Sequence, residues 1–205
     1  MSDKDLSGVV DFLFEAGMLS QTPRSGFHFL GSGSQSVAEH INRASYIGFT
    51  LGLLTPGVDV GKILKMCLLH DLTETRISDL NYVHQKYTER HEDKAINDLA
   101  ATLPFGDEIL ALMEEYETRK SLESRLAKDA DRLEWLMALK EQLDTGNTRA
   151  ANWMVSAKAR MDTDIAKTLA EKIITTESDN WWFANKNDSW WVTRNGQDKK
   201  TEPKT

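Results

Sequence analysis

The chain has 205 residues, 40% of them hydrophobic and 28% charged, a composition typical of a folded globular protein and not of a disordered chain. Its net charge of −7 argues against a broad basic surface for a nucleic-acid polymer, although a single nucleotide needs only a few cationic groups. No apolar run reaches the roughly 18 residues that a membrane-spanning helix requires, and the lone cysteine, Cys67, excludes an internal disulfide. We therefore expect a cytoplasmic protein that binds neither a membrane nor a nucleic-acid polymer.

Apolar residues at helical spacing predict the first elements of the chain. The first such pattern covers residues 5–18, and the segment that follows, with its Gly- and Ser-rich run at 31–34, is predicted to be a loop. Ser36 is a good N-cap for the next helix, and Glu39 has the spacing of a capping box with it. Helical spacing groups His40 with the apolar residues of this helix, so His40 is predicted to face the core.

The rest of the body continues the helical pattern. Asp59 is positioned to cap a helix that ends at His70 and Asp71. Further helices are predicted over residues 88–103, 107–116, 121–143 and 149–175, the last with a break near Asp162. No alternating strand pattern precedes the C-terminal tail, so the sequence predicts an all-α fold.

The C-terminal tail differs in composition from the helical body. Aromatic residues cluster at 181–183 (WWF) and 190–192 (WWV), which predicts two short strands around a turn. Such a hairpin either caps the core or anchors a second subunit, because tryptophans concentrate at the centres of interfaces. We therefore divide the chain into a helical body at 1–176, a Trp-rich extension at 177–194 and a disordered polar tail at 195–205.

An imidazole and a carboxylate are adjacent at His70 and Asp71, at the polar end of an apolar helical stretch. Both side chains can reach one cation where the helix ends and the backbone relaxes. His40 lies inward on the preceding helix, and a later helix carries Asp129 and Asp131. Two imidazoles with two carboxylates suit a hard or borderline divalent metal ion. The pattern therefore predicts a metal-dependent hydrolase.

The residues alone leave open which acid of the later helix joins this site. On a helical wheel Asp129 falls on the apolar face with Leu126 and Leu133, whereas Asp131 falls on the opposite face near Ala127. Periodicity by itself favours Asp129 as the inward acid. The small residues near Asp131 would instead let the helix approach a metal closely, and a helix buried on both sides would accommodate both aspartates.

Three stretches of the sequence carry a family resemblance: PRSGF at residues 23–27, SVAEH at 36–40 and HDLTETRISD at 70–79, with a weaker fourth, LAKDADRLEWL, at 126–136. In this order they resemble the HD-domain metal-dependent phosphohydrolases, most closely the branch of 5′-deoxynucleotidases. The resemblance implies an all-α HD-domain helical bundle, with the short Trp-rich hairpin or extension outside it. It also implies removal of the 5′-phosphate from deoxynucleoside monophosphates.

The resemblance assigns the metal ligands residue by residue. It implies that His40, His70, Asp71 and Asp131 hold one divalent ion of Mn, Co, Mg, Fe, Ni or Zn, with open positions for water and a phosphate oxygen. The family pattern thus favours Asp131 over Asp129. A metal placed in this way acidifies its water and neutralises charge on the phosphoryl group.

The resemblance also assigns substrate and catalytic roles. Arg24 would bind the phosphate with its planar guanidinium, and Glu74 would move protons between the attacking water and the leaving group. Asp79 lies where the family places an acid near the sugar, which discriminates against a 2′-hydroxyl. We expect a small-molecule nucleotide as the substrate and a homodimer as the assembly.

Two other functions remain compatible with the sequence. An HD hydrolase acting on nucleoside triphosphates or another phosphoester would need further cationic contacts, for which Arg76, Lys86 and Arg119 are the candidates. A non-catalytic helical binding module would have no need of a complete ligand set together with Glu74. Metal retention separates the binding module from both enzymes, and phosphate release from mono-, di- and triphosphates separates the two enzymes.

Overall fold

A computed structural model describes the backbone of residues 3–185 and the side chains from residue 6 onward. This part of the chain contains helices and no β-sheet, and its one β-type pairing is an isolated bridge between Pro23 and Ser36. The prediction of an all-α fold is therefore confirmed. The helices are α1 Asp3–Gly17, α2 Gly26–Leu30, α3 Val37–Leu53, α4 Val60–Leu69, α5 Glu74–Ile77, α6 Tyr82–Tyr87, α7 Glu92–Ala100, α8 Gly106–Thr118, α9 Leu122–Asp144, α10 Arg149–Ala159, α11 Asp164–Thr175 and α12 Asn180–Phe183, with a 3₁₀ turn at Met18–Ser20.

Side-chain caps begin α3 and α4 where the sequence predicted them. The Glu39 backbone N–H donates to Ser36 Oγ, and Glu39 Oε2 accepts a hydrogen bond from the Ser36 backbone N–H, which completes the capping box. Asp59 accepts a hydrogen bond from the Lys62 backbone N–H at the start of α4. Such caps satisfy backbone donors that have no partner inside the first helical turn. These two helices carry the two histidines of the predicted metal site.

Two of the differences between the observed and the predicted helices concern short helices and their boundaries. The predicted loop before α3 contains the short helix α2, and the helix predicted from Thr88 begins only at Glu92. The separate helix α6 precedes it and is capped by Asn81, whose side chain accepts hydrogen bonds from the backbone N–H groups of Val83 and His84. Neither short helix is long enough to show a repeated apolar stripe, so periodicity did not reveal them.

The central helix of the body is α9, which packs against α3, α4, α8, α10 and α11. Its residues Leu126, Leu133, Leu136 and Leu139 are all 0% exposed. Full burial of one leucine contributes about 1.5–3 kcal/mol to folding. Asp129 and Glu134 of the same helix are also 0% exposed, which agrees with the possibility that α9 is buried on both sides.

The helices α3 and α4 approach each other closely beside α9. Gly48 of α3 permits this approach, because a Cβ atom at that position would lie 2.5 Å from Cys67 Sγ and 3.6 Å from Ala130 Cβ. Real Cβ atoms do not approach a neighbour as closely as the first distance, so a larger residue at position 48 would push the helices apart. The close packing brings together the three helices that carry His40, His70 and the acids of α9.

The aromatic residues of the C-terminal extension are described only in part. Residues 181–183 form the short helix α12 and not a strand, because the backbone N–H groups of Trp182 and Phe183 donate to the Asp179 carbonyl oxygen. The second half of the predicted hairpin, at 190–192, and the predicted polar tail lie outside the described residues. Within the described part of the chain, no helix combines the length and the apolar character needed to cross a membrane.

Candidate active site and metal centre

The four side chains predicted as metal ligands converge on one point. His40 Nε2 lies 3.1 Å from His70 Nε2, 3.5 Å from Asp71 Oδ2 and 3.2 Å from Asp131 Oδ1. His70 Nε2 lies 3.3 Å from Asp71 Oδ2 and 3.9 Å from Asp131 Oδ1. The histidine side chains are buried, whereas those of Asp71 and Asp131 are 17% and 18% exposed. The cluster therefore meets solvent on its carboxylate side.

Helix ends and helix packing place these side chains. His40 lies in the first turn of α3, and Asp131 lies in the middle of α9. His70 caps the C-terminus of α4, and Asp71 follows in the turn that leads to α5. The adjacent imidazole and carboxylate thus occur where the helix ends, which is the arrangement that their position in the sequence predicted.

The hydrogen bonds of the two imidazoles direct both Nε2 atoms into the cluster. His70 Nδ1 lies 2.8 Å from the Cys67 carbonyl oxygen, which can only accept, so Nδ1 carries the proton. His40 Nδ1 lies 2.5 Å from Glu134 Oε2, which is also an acceptor. When both rings are neutral, the two Nε2 atoms therefore present lone pairs to the cluster, beside two carboxylate oxygens. A donor set of this chemistry fits a divalent cation.

The groups around the cluster favour a protonated His40 and an ionised Asp131. Burial and the charge of Arg24 oppose protonation of His40, but hydrogen bonds to Asp131 and Glu134 outweigh them and raise the pKa of His40 to about 9. Burial also opposes ionisation of Asp131, but Lys128 and the two histidines hold the pKa of Asp131 well below its usual range. Ionised carboxylates in a buried site provide the negative potential that binds a divalent cation.

Asp129 is fully buried, as periodicity predicted, but its carboxylate holds the backbone of a turn. Its oxygens accept hydrogen bonds from the backbone N–H groups of Asp162 and Thr163 and from Thr163 Oγ1. These bonds stabilise the turn between α10 and α11, where the predicted break near Asp162 is confirmed. Asp131 is the acid of α9 that lies with the two histidines in a group able to hold a metal ion. Periodicity thus identified Asp129 correctly as a buried acid, but this residue binds the backbone of a turn and not the histidine cluster.

Arg24 lies beside the cluster on the loop before α2. Its Nη1 donates to Asp71 Oδ2 at 3.1 Å, and its Nε lies 3.5 Å from Asp79 Oδ2. Asp79 accepts hydrogen bonds from the Ser25 backbone N–H and hydroxyl, at 3.1 and 3.2 Å. The Arg24 backbone N–H donates to the Gln35 carbonyl oxygen at 2.8 Å, which ties the loop to the start of α3. A fixed loop therefore presents Arg24 to the cluster, and both oxygens of Asp79 hold that loop.

Glu74 begins the short helix α5 with a buried side chain. Its Oε2 atom is inaccessible to solvent and has no hydrogen-bond partner within the described part of the chain. Burial, reinforced by the charges of Asp71 and Asp79, raises the pKa of the Glu74 carboxyl to about 9. A buried carboxyl with one unpaired oxygen and a raised pKa is suited to proton exchange with a substrate or a water molecule.

Three members of the cluster, His70, Asp71 and Asp131, line a cleft of about 810 Å³ together with Arg24, Glu74 and Asp79. This volume is in the range of small-molecule binding sites. Lys128 is among the cationic residues of the cleft that were not predicted from the sequence, and its Nζ lies 2.9 Å from Asp131 Oδ2. The spacing of Lys128, one helical turn before Asp131, was the available signal for this ion pair.

The model of a family described as the HD domain matches residues 16–174 of this chain. A curated relative from Danio rerio, 5′-deoxynucleotidase HDDC2, is 28% identical over 163 residues, which cover 76% of this chain and 80% of the relative. The protein of the same name from Dictyostelium discoideum is 32% identical over 145 residues, 64% of this chain and 76% of its own length. A solved structure of a conserved hypothetical protein from Pyrococcus furiosus has a TM-score of 0.64 at 31% identity and covers 80% of this chain and 96% of its own. Since the family match spans every helix that contributes to the cluster, this chain belongs to the HD-domain family.

Proposed function

We propose that this protein is a metal-dependent phosphomonoesterase that removes the 5′-phosphate from deoxynucleoside monophosphates. The observation that carries the proposal is a cluster of two histidines and two aspartates beside a cleft that Arg24 and Glu74 also line. The two relatives named 5′-deoxynucleotidase support the substrate class. The cleft is large enough for a nucleotide.

The ligands of the divalent ion would be His40, His70, Asp71 and Asp131, through the Nε2 atoms and one oxygen of each carboxylate. When bound, such an ion supplies a Lewis acid for the phosphoryl group and lowers the pKa of water. The mixture of imidazole and carboxylate ligands suits Mn, Co, Fe, Ni or Zn, and it suits Mg less well because Mg prefers oxygen ligands.

Arg24 binds the phosphate of the substrate. Its guanidinium is planar and permanently charged, so it donates parallel hydrogen bonds to two phosphate oxygens. Its contact with Asp71 places it directly beside the proposed metal ligands. A phosphate held by Arg24 is thereby oriented with its phosphorus toward the cluster, and part of its negative charge is neutralised.

Glu74 moves the protons of the reaction. It accepts a proton from the attacking water as the water oxygen bonds to phosphorus, and the bond between phosphorus and the 5′-oxygen breaks. The protonated carboxyl then donates to the departing 5′-oxygen, which releases the nucleoside and inorganic phosphate and returns Glu74 to its starting state. The raised pKa of Glu74 makes its ionised form a stronger base, so the carboxylate accepts the proton of the water and the protonated carboxyl then donates it to the 5′-oxygen.

The charges near Arg24 favour a monophosphate over a triphosphate. Acidic side chains surround Arg24, so additional phosphate groups at that position would meet negative charge. Among the cations considered for a larger substrate, Arg76 pairs with Glu15, whereas Arg119 lines the cleft. The relative rates with mono- and triphosphates therefore decide between the two substrate classes.

Phosphate release from purified enzyme tests the proposal across mono-, di- and triphosphates of deoxy- and ribonucleosides, each with Mn²⁺, Co²⁺ and Mg²⁺. We expect deoxynucleoside monophosphates to be hydrolysed fastest. The ratio of deoxy- to ribonucleotide rates, compared between wild type and Asp79→Asn, reports on the sugar selectivity expected of Asp79. A preference for triphosphates would contradict the proposed substrate. Absence of phosphate release with any ion, from protein that is folded by circular dichroism, would instead indicate a binding module.

The enzyme is also proposed to be a cytoplasmic homodimer. Exposed apolar side chains follow one face of α1, where Val10, Leu13 and Phe14 are 49%, 63% and 78% exposed. Contiguous apolar surface of this kind is typical of subunit contacts. Light scattering coupled to size-exclusion chromatography tests the assembly, and cell fractionation tests the location. A monomer at micromolar concentration would contradict the dimer, and enzyme recovered outside the cytoplasmic fraction would contradict the location.

A further inference from the structure

Glu134 contacts the nitrogen of His40 that faces away from the proposed metal ligands. Its Oε2 atom lies 2.5 Å from His40 Nδ1, while His40 Nε2 faces His70 and Asp131. The side chains of His40 and Glu134 are both 0% exposed, so bulk water does not compete for the contact. Glu134 lies one helical turn after Asp131 on α9, and this helix therefore supplies both a proposed ligand and a contact to another ligand.

Two side chains hold the other oxygen of Glu134. Its Oε1 accepts hydrogen bonds from Gln35 Nε2 at 2.6 Å and from Arg43 Nε and Nη2 at 3.0 and 2.7 Å. The guanidinium compensates the buried negative charge, which would otherwise carry a large desolvation cost. Because both oxygens of Glu134 have partners, the carboxylate has a defined orientation toward His40.

We propose that Glu134 is a positioning residue for metal binding. It accepts a hydrogen bond from the protonated Nδ1 of His40 and so holds the Nε2 lone pair toward the ion. This inference rests on the metal site of the proposed function. The contact selects the tautomer with the proton on Nδ1 and prevents rotation of the imidazole. His70 obtains the same tautomer from the Cys67 carbonyl oxygen. The negative charge of Glu134 also increases the electron density on the His40 ring, which strengthens its bond to a metal ion.

Glu141 provides a matched control for Glu134. It has the same side chain, lies two helical turns later on α9, and accepts a hydrogen bond from Nη1 of the same Arg43 at 2.5 Å. Among the described residues, its carboxylate pairs with Arg43 and not with His40. A loss of metal binding that came only from weakening the contacts of Arg43 would therefore appear in variants of both glutamates.

The test compares Glu134→Gln and Glu141→Gln with the wild-type enzyme by calorimetric titration of Mn²⁺ and by phosphate release. The glutamine keeps the size of the side chain and removes its charge. We expect Glu134→Gln to weaken Mn²⁺ binding by about 10- to 100-fold and to regain most of its activity at saturating Mn²⁺. We expect Glu141→Gln to bind Mn²⁺ as the wild-type enzyme does.

Wild-type Mn²⁺ affinity in folded Glu134→Gln protein would overturn this inference and leave the proposed nucleotidase function standing. Equal losses in the two variants would also overturn it, because the contacts of Arg43 would then be the cause. A wild-type enzyme that binds no divalent ion would overturn both the inference and the metal-dependent function.

A second measurement uses wild-type protein alone and does not depend on the folding of a variant. Two-bond proton–nitrogen correlation spectra of the enzyme loaded with diamagnetic Zn²⁺ report the tautomer of His40. We expect a protonated Nδ1 and an Nε2 resonance shifted by the metal. A proton on Nε2, with Nδ1 toward the ion, would overturn the assignment of Glu134 as the acceptor.

Discussion

Arg24 Nη1 donates a hydrogen bond to Asp71 Oδ2 across 3.1 Å, so the side chain expected to bind phosphate touches one of the expected metal ligands. Arg24 lies on the loop before α2, and Asp71 lies in the turn after α4, so the contact depends on tertiary packing. This contact would couple the proposed phosphate subsite to the proposed metal site. The guanidinium has five N–H donors, so it can bind a phosphate while it keeps a bond to the aspartate.

Replacement of Arg24 tests this division of roles. Charge-assisted hydrogen bonds contribute roughly 1.5–3 kcal/mol, so Arg24→Ala should raise KM for a deoxynucleoside monophosphate by about 10- to 100-fold. The metal content, measured by mass spectrometry, should stay unchanged. Arg76→Ala is a matched control, because Arg76 pairs with Glu15. If KM is unchanged in Arg24→Ala, Arg24 does not bind the phosphate.

The variant Glu74→Gln tests whether Glu74 acts in proton transfer or as a ligand of the metal ion. The variant should keep its metal ion and lose about 100- to 10,000-fold in kcat, because general acid–base groups contribute that much to such reactions. Asp71→Asn is the comparison, and it should lose the ion itself. The measurement is kcat together with the metal content of both proteins. If Glu74→Gln loses the ion as readily as Asp71→Asn, Glu74 is a ligand.

Metal affinity should rise with pH. The pKa of His40 is raised to about 9 in protein without bound metal, so the imidazole is protonated at pH 7. An ion can bind Nε2 only after that proton leaves, so each bound ion releases a proton. Below the pKa, apparent affinity should increase about tenfold per pH unit for each proton released. Mn²⁺ titrations at pH 6.5 and 7.5, in buffers of different ionisation enthalpy, measure both effects. Affinity that is independent of pH would show that His40 binds as an already neutral imidazole.

Replacement of Asp129 should change the stability of the protein, whereas replacement of Asp131 should change its metal content. Asp129→Asn should lower the free energy of unfolding by about 1–3 kcal/mol, because Asp129 accepts hydrogen bonds from the buried turn at Thr163. Its metal content should be that of the wild-type enzyme. Asp131→Asn should instead lose the ion and retain stability. Chemical denaturation and metal analysis of both variants give the answer, and the reverse pattern would make Asp129 the ligand.

The long helices could be predicted from the sequence because their apolar residues repeat over several turns. The caps at Ser36 and Asp59 were predictable for a different reason, because a cap depends only on residues within one turn of it. The short helices α2 and α6 were not, because neither extends over enough turns to show a stripe. The helical turn at 181–183 was mistaken for a strand, since aromatic residues are also frequent in strands.

The candidate site was predictable where neighbours in sequence are neighbours in space. His70 and Asp71 are adjacent at the end of a helix, and this local feature identified them. The partner of His40 was not predictable, because Glu134 lies in a helix whose charged residues look like those of a solvated surface. Its burial depends on the close packing of α3 and α9. Periodicity also cannot distinguish a buried acid that binds backbone, such as Asp129, from one that faces a cluster.

We propose that nucleotide hydrolysis by this enzyme depends on an ion bound by this cluster. The most direct test removes metal by chelation from wild-type enzyme and from Asp71→Ala, then adds Mn²⁺ and measures phosphate release from a deoxynucleoside monophosphate. We expect the activity of the wild-type enzyme to disappear on chelation and to return with Mn²⁺, and we expect Asp71→Ala to stay folded and inactive throughout. Full activity of Asp71→Ala with Mn²⁺, or wild-type activity that survives chelation, would contradict the account.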